Sequence, residues 1–176
     1  ILEKVQNSVL WLLVDNDIAK TNLKKILTSK GIDQNRLIFA NRMMHSEHLA
    51  RLKLADLFLD TFPCNAHTTA SDSLRSCLPI LTLRGNSFAS RVTSSLLSSV
   101  GLNKLITDTN QAYEELAVKI ALDDNYFSVI KNELKDNIKT KPLLNTIMFT
   151  KNLERAYFNA YEKYVNNEKP DTIEIN

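Results

Sequence analysis

The chain has 176 residues, 44% hydrophobic and 24% charged, with a net charge of +2. That is the composition of one ordinary soluble globular domain, long enough to bury a substantial core. So small a charge excess gives no electrostatic case for nucleic acid or an anionic membrane, and no apolar run approaches the roughly 20 residues that span a bilayer.

Nothing at the N-terminus reads as a signal peptide. Cys64 and Cys77 form neither a Cys-x-x-Cys nor a metal-ligand pattern, so reduced thiols and a cytoplasmic setting are expected. The chain opens Ile1-Leu2-Glu3 just ahead of a strong strand, which leads us to expect a piece of a longer protein.

Residues 8–14 are a continuous apolar run with β-branched and aromatic members, read as a strand buried on both faces. Asp15-Asn16-Asp17 supplies helix-start residues, and Ile18, Leu23, Ile26 and Leu27 recur at helical spacing up to Gly31, a fitting cap. A strand over 36–40, a helix over 47–55 and a strand over 57–59 follow. The alternation continues with a helix over 67–77, a strand over 79–83, a helix over 87–100 closed by Gly101, and a strand over 104–107.

Strands and helices alternating over such short connections imply an α/β fold, a Rossmann-like parallel sheet flanked by helices. Residues 1–109 form this core. Residues 110–167 are helical only, with apolar stripes at Tyr113, Leu116, Ala117, Ile120 and Ala121, at Phe127, Ile130, Leu134 and Ile138, and at Leu153, Ala156, Tyr157, Ala160, Tyr161 and Tyr164. Core packing of all three stripes is expected. Residues 168–176 have little apolar content and should fray.

Ligands of such sheets bind outside the carboxyl ends of the strands, which would bring 41–48, 61–69 and 84–87 together. The stretch 56–72 is the richest. A short strand turns through Phe62-Pro63-Cys64-Asn65 and opens a helix at His67-Thr68-Thr69. Unpaired N–H groups and the positive end of the macrodipole suit a phosphate there, and the two hydroxyls and the imidazole add donors. Asp72, one turn beyond Thr68, is placed to accept from a sugar hydroxyl. Capping also explains Thr and Asp in a first turn, and on composition alone it is the better account.

His48 and Arg51 sit three apart on the preceding helix, either as a solvated face or as flat groups for stacking on a base. His45 and His48 have helical spacing for a metal but no evident third ligand, so no metal site is expected. No Gly-x-Ser-x-Gly elbow is present. Arg84 after the 79–83 strand reads as a solvated loop residue, and Arg91 as a structural ion pair or a functional group with equal weight.

Leu59-Asp60-Thr61, Asn65-Ala66-His67-Thr68-Thr69 with Asp72, and Leu81-Thr82-Leu83 with Phe88-Ala89-Ser90-Arg91-Val92 resemble the signatures of O-linked N-acetylglucosamine transferases, including bacterial members grouped with SPINDLY. The resemblance runs from about Ser8 to Tyr164. It implies a GT-B enzyme of two Rossmann-like domains, of which this chain is the C-terminal one. It implies transfer of N-acetylglucosamine from UDP-N-acetylglucosamine to Ser or Thr of proteins, with no cofactor and no metal.

By the same resemblance His67, Thr68 and Thr69 grip the diphosphate and Asp72 the ribose. His48 and Arg51 contact the uracil end, and the Met43 backbone bonds the base. His45 stands where animal members have a lysine near the ribose, and Arg84, Asn86 and Ser87 depart from the usual Pro-Gly-Glu-Thr. No catalytic residue is assigned, beyond His67 as a stabiliser of the leaving phosphate. The acceptor side and the protein-recruiting repeats belong to the other half, and a glutamine and a lysine that help hold the phosphates lie just before the equivalent of Ile1. The isolated chain is therefore expected to bind donor weakly and not to turn over. GDP-fucose or UDP-glucose as donor, or a non-catalytic nucleotide-binding or assembly module, are the alternatives.

Overall fold

Short apolar strands joined to helices by tight turns produce the expected α/β alternation in the computed structural model, which describes residues 1–175. In chain order the elements are β1 (Leu10–Leu13), α1 (Asp17–Ser29), β2 (Leu37–Ala40), α2 (His45–Leu52), β3 (Phe58–Leu59), α3 (Thr68–Arg75), β4 (Ile80–Leu83), α4 (Val92–Ser99), β5 (Ile106–Thr107), α5 (Asn110–Leu122), α6 (Asp124–Thr140) and α7 (Thr146–Val165). Every strand pair is parallel, with Leu10 opposite Leu37, Phe58 opposite Ile80 and Thr82 opposite Ile106.

One sheet was expected and two are found: β1–β2, and β3–β4–β5. The ladder is interrupted because β3 spans only two residues and spends its hydrogen bonds on β4. The strand β1 is accordingly not buried on both faces. Its burial alternates, leaving Trp11 38% and Leu13 47% exposed. On one face α1 approaches, with Lys24 Nζ 5.9 Å from the Phe39 ring; on the other Arg51 of α2 lies 5.8 Å over Trp11.

The core sits around the three-stranded sheet. Leu74, Ile80, Leu97, Leu102, Leu105, Ile130 and Leu134 are fully buried where α3, α4 and α6 meet it. Tyr113 and Ala117 of α5 pack with Leu81 beside them. The α5 and α6 stripes thus enter the core as their spacing requires, except Ala121 near the end of α5, which is exposed. The third does not. No residue of α7 is buried, and Tyr157, Tyr161 and Tyr164 are between 64% and 78% exposed. The half-buried positions of α7 are Met148, Asn152, Ala156, Asn159 and Lys163, so the aromatic stripe is left in solvent.

Several boundaries move for local reasons. The helix α2 begins at His45, where Glu47 accepts a hydrogen bond from the Met44 N–H at 3.1 Å. The helix α4 begins at Val92 rather than at 87, because Ser87 and Ser90 bond each other's side chain and backbone in a closed turn. Residues 168–175 carry no regular element, and Asn176 lies outside the described residues.

Four helices end in the same double hydrogen bond across a left-handed residue. Gly31 (φ 70°) closes α1 with Gly31 N to Thr28 O and Ile32 N to Leu27 O, both 3.0 Å. Gly101 closes α4 likewise, and Asn167 (φ 53°) closes α7. Cys77 closes α3 at φ 58°, a conformation that costs a residue bearing a Cβ about 1–2 kcal/mol. Cys77→Gly should therefore stabilise the chain by about 0.5–1 kcal/mol after glycine's own entropic cost is deducted. A urea midpoint that stays put or falls, at unchanged m-value, would refute this.

Candidate nucleotide-binding site

The site is built where β3 and β4 end. Asp60, the residue after β3, is 2% exposed. Its Oδ1 accepts from the N–H groups of Thr61 (2.9 Å) and Ala66 (2.7 Å), and its Oδ2 accepts from the Thr82 hydroxyl at 2.6 Å. Its backbone carbonyl accepts from the Tyr113 hydroxyl at 2.9 Å. Asn65, also buried, donates from Nδ2 to the carbonyls of Thr61 and Leu83 and from its backbone N to Ala89 O. The loop between β3 and α3 is thereby fastened to β4 and to the Ser87–Ser90 turn. Gly85 is required in that turn, since a Cβ would stand 2.5 Å from Ser90 Oγ.

This loop delivers an open helix start. His67 is the N-cap residue of α3 but its side chain does not cap, and neither the Thr68 nor the Thr69 hydroxyl makes a hydrogen bond among the described residues. His67, Thr68 and Thr69 are all exposed. The His67 ring meets Phe88 edge-on, with centroids 6.0 Å apart. Thr68 and Thr69 are not satisfying α3 itself, so the backbone donors and both hydroxyls are available to an anion.

Facing them across α3 is the start of α2. His45 Nε2 lies 3.3 Å from both carboxylate oxygens of Asp72, whose side chain is 14% exposed against 66% for His45. His45 and Asp72 are thus brought together, as are the 61–69 and 84–91 loops. Arg51 is occupied internally: Nη1 donates to Asn41 O at 2.7 Å, Nε donates to His48 Nδ1 at 3.2 Å, and the guanidinium stacks on Trp11. His48 keeps its Nε2 uncommitted among the described residues, and Met43 lies 44% exposed in the β2–α2 loop.

Arg84 is not simply solvated. It pairs with Asp108 at 2.9 Å, while Arg91 stands exposed at the start of α4 without an ion pair among the described residues. No three His, Cys, Asp or Glu side chains gather as a metal-ligand set among the described residues, and no described helix is long and apolar enough to cross a membrane. Sequence reasoning missed Asp60 and Asn65 as organisers of the site. The available signal was an acidic residue directly after an apolar strand, where burial is forced.

Parallel strands flanked by helices, with polar groups gathered outside their carboxyl ends, make this a Rossmann-like domain. The chain belongs to glycosyl transferase family 41, whose profile matches residues 1–153. It is 35% identical over 176 residues to the probable UDP-N-acetylglucosamine–peptide N-acetylglucosaminyltransferase SEC of Arabidopsis thaliana, covering 99% of this chain and 18% of that protein. It is 31% identical to the UDP-N-acetylglucosamine–peptide N-acetylglucosaminyltransferase of Caenorhabditis elegans, covering 100% of this chain and 15% of that one. Among solved structures it resembles a mutant O-GlcNAc transferase of Thermobaculum terrenum, with TM-score 0.82 and 28% identity over 89% of this chain and 31% of that chain. The chain thus spans less than a fifth of the length of these two curated relatives.

Burial first, and then the nearby Asp60 charge, raise the Tyr113 hydroxyl above its ordinary pKa of 10.0. Above pH 10 the unfolded phenol therefore loses its proton while the native one keeps it. The native state then binds more protons than the unfolded state, and stability falls as pH rises. Tyr113→Phe should cost about 0.5–1.5 kcal/mol below pH 10 through the lost bond to Asp60 O. Denaturant titrations should show that difference shrinking above pH 10; a constant difference would exclude the linkage.

Proposed function

We propose that this chain is the donor-binding part of a protein O-glycosyltransferase that moves N-acetylglucosamine from UDP-N-acetylglucosamine to Ser or Thr hydroxyls of proteins in the cytoplasm. The observation that carries this reading is the uncapped start of α3, with His67, Thr68 and Thr69 exposed and unspent beside the His45–Asp72 pair. The relatives' names, all of the UDP-N-acetylglucosamine–peptide transferase kind, supply the substrate class.

In the reaction the acceptor oxygen bonds to the anomeric carbon as the bond from that carbon to the diphosphate oxygen breaks. Negative charge grows on the departing phosphate. Donors already fixed in place stabilise that charge without reorganising, and the first-turn N–H groups, the two hydroxyls and the His67 ring are such donors. This reading needs neither a metal nor another cofactor. Asp72 accepts from the ribose and shares its carboxylate with His45. The Met43 backbone and the His48–Arg51 pair, backed by Trp11, take the base.

The acceptor protein and the remaining donor contacts come from parts of the enzyme beyond this chain, so the chain alone binds donor weakly and does not turn over. Calorimetry with UDP and GDP, using a His67→Ala/Asp72→Ala double variant as control, tests the site. UDP should bind, and the double variant should weaken it at least ten-fold, on the order of 1.4 kcal/mol. A preference for GDP would move the reading to a fucosyl donor. No binding of either nucleotide would mean that the contacts beyond this chain are essential or that the chain is a non-catalytic module, and a protein extended at its N-terminus would separate the two. Peptide glycosylation by the isolated chain would overturn the expectation of no turnover.

A further inference from the structure

We propose that Asp60 is the positioning residue of the diphosphate site: its buried carboxylate sets the backbone from which His67, Thr68 and Thr69 are presented. The proposal rests on the donor-binding reading above. The residue that leads into the site is held on both sides. Ala66, immediately before His67, gives its N–H to Asp60 Oδ1 at 2.7 Å and receives the Thr93 hydroxyl of α4 on its carbonyl at 2.8 Å. The other oxygen of Asp60 is fixed by Thr82, in the middle strand of the sheet, at 2.6 Å. The Asp60 carbonyl is fixed in turn by Tyr113 of α5 at 2.9 Å. One residue therefore references the start of α3 to the sheet through its side chain and to α5 through its carbonyl.

No cation pairs with this carboxylate among the described residues; neutral donors alone satisfy it. A buried carboxylate without a cation carries a desolvation cost that its neutral donors offset only in part, so it is a poor device for stability. It is a good device for holding N–H groups in place, since charge-assisted bonds are shorter and stronger than neutral ones. Its own sign opposes a diphosphate. If Asp60 acted through charge alone, neutralising it would tighten nucleotide binding; if it acts through position, neutralising it weakens binding. The two roles predict opposite signs.

The test uses Asp60→Asn, which keeps an acceptor for the two N–H groups but loses the charge and must donate toward Thr82, and Thr82→Val, which removes only the Oδ2 partner. Two readouts are taken: UDP affinity by calorimetry, and amide hydrogen exchange at Thr61, Ala66 and 67–69 in nucleotide-free protein. Asp60→Asn is expected to weaken UDP at least ten-fold and to speed exchange at Ala66 by a similar factor, with Thr82→Val a few-fold in the same directions. Unchanged or tighter UDP binding by either folded variant would overturn the proposal, as would unchanged Ala66 exchange. If Asp60→Asn does not fold, Thr82→Val decides. The exchange arm needs no nucleotide, so wild-type protein that binds no UDP would count against the donor-binding reading while Ala66 still reports on Asp60.

Discussion

The 2.6 Å bond from the Thr82 hydroxyl to the Asp60 carboxylate joins the centre of the three-stranded sheet to the end of its shortest strand. With only Phe58 and Leu59 in β3, backbone pairing alone gives that strand little register. Side chains complete what the ladder leaves short: Asp60 to Thr82, Asn65 to Leu83 O, and Tyr113 to Asp60 O. Each connects a loop residue to a regular element. The loop can then end in an uncapped helix start, because its geometry is fixed from behind and not by α3 capping itself.

The candidate site also crosses the join between the two sheets. In the proposed reading its base side belongs to the β1–β2 unit and its phosphate side to the β3–β5 unit. The His45–Asp72 contact and a 3.4 Å bond from Ser76 Oγ to Leu49 O link α2 with α3, and Lys4 reaches Glu114 of α5 at 2.8 Å. These links are polar, and Ile1 adds an apolar contact with Leu81 and Tyr113, whereas each unit is held by its own parallel ladder. A nucleotide spanning both sides would add to the cohesion between the units as well as occupying a pocket.

Most elements were legible because period and punctuation agreed. Helical spacing up to Gly31 and Gly101 located two helix ends that the φ angles confirm. The loops at the carboxyl ends of β2, β3 and β4 converge as parallel topology requires. What failed has physical causes. The 8–14 run looked doubly buried because apolar character reports what a residue tolerates, not what the neighbouring strand supplies. The Leu153–Tyr164 stripe gave the right helix and the wrong environment, since periodicity identifies a face without identifying its cover. The 87–90 segment was absorbed into a helix because serine spacing does not reveal a turn closed by Ser87 and Ser90 on each other. Cys77 carried no signal at all, the left-handed cap being a role in which glycine or asparagine is expected.

Trp11 is the sole tryptophan of the chain, and it lies partly in water beneath the Arg51 guanidinium. Indole emission responds to a nearby cation and to solvent, and both would change if a planar base displaced or reoriented Arg51 at the His48 end of the site. Under the proposed reading the molecule therefore carries an intrinsic optical reporter at the base end of its site, away from the start of α3. Events at the base end of a bound nucleotide would then be followed by light without attaching a label.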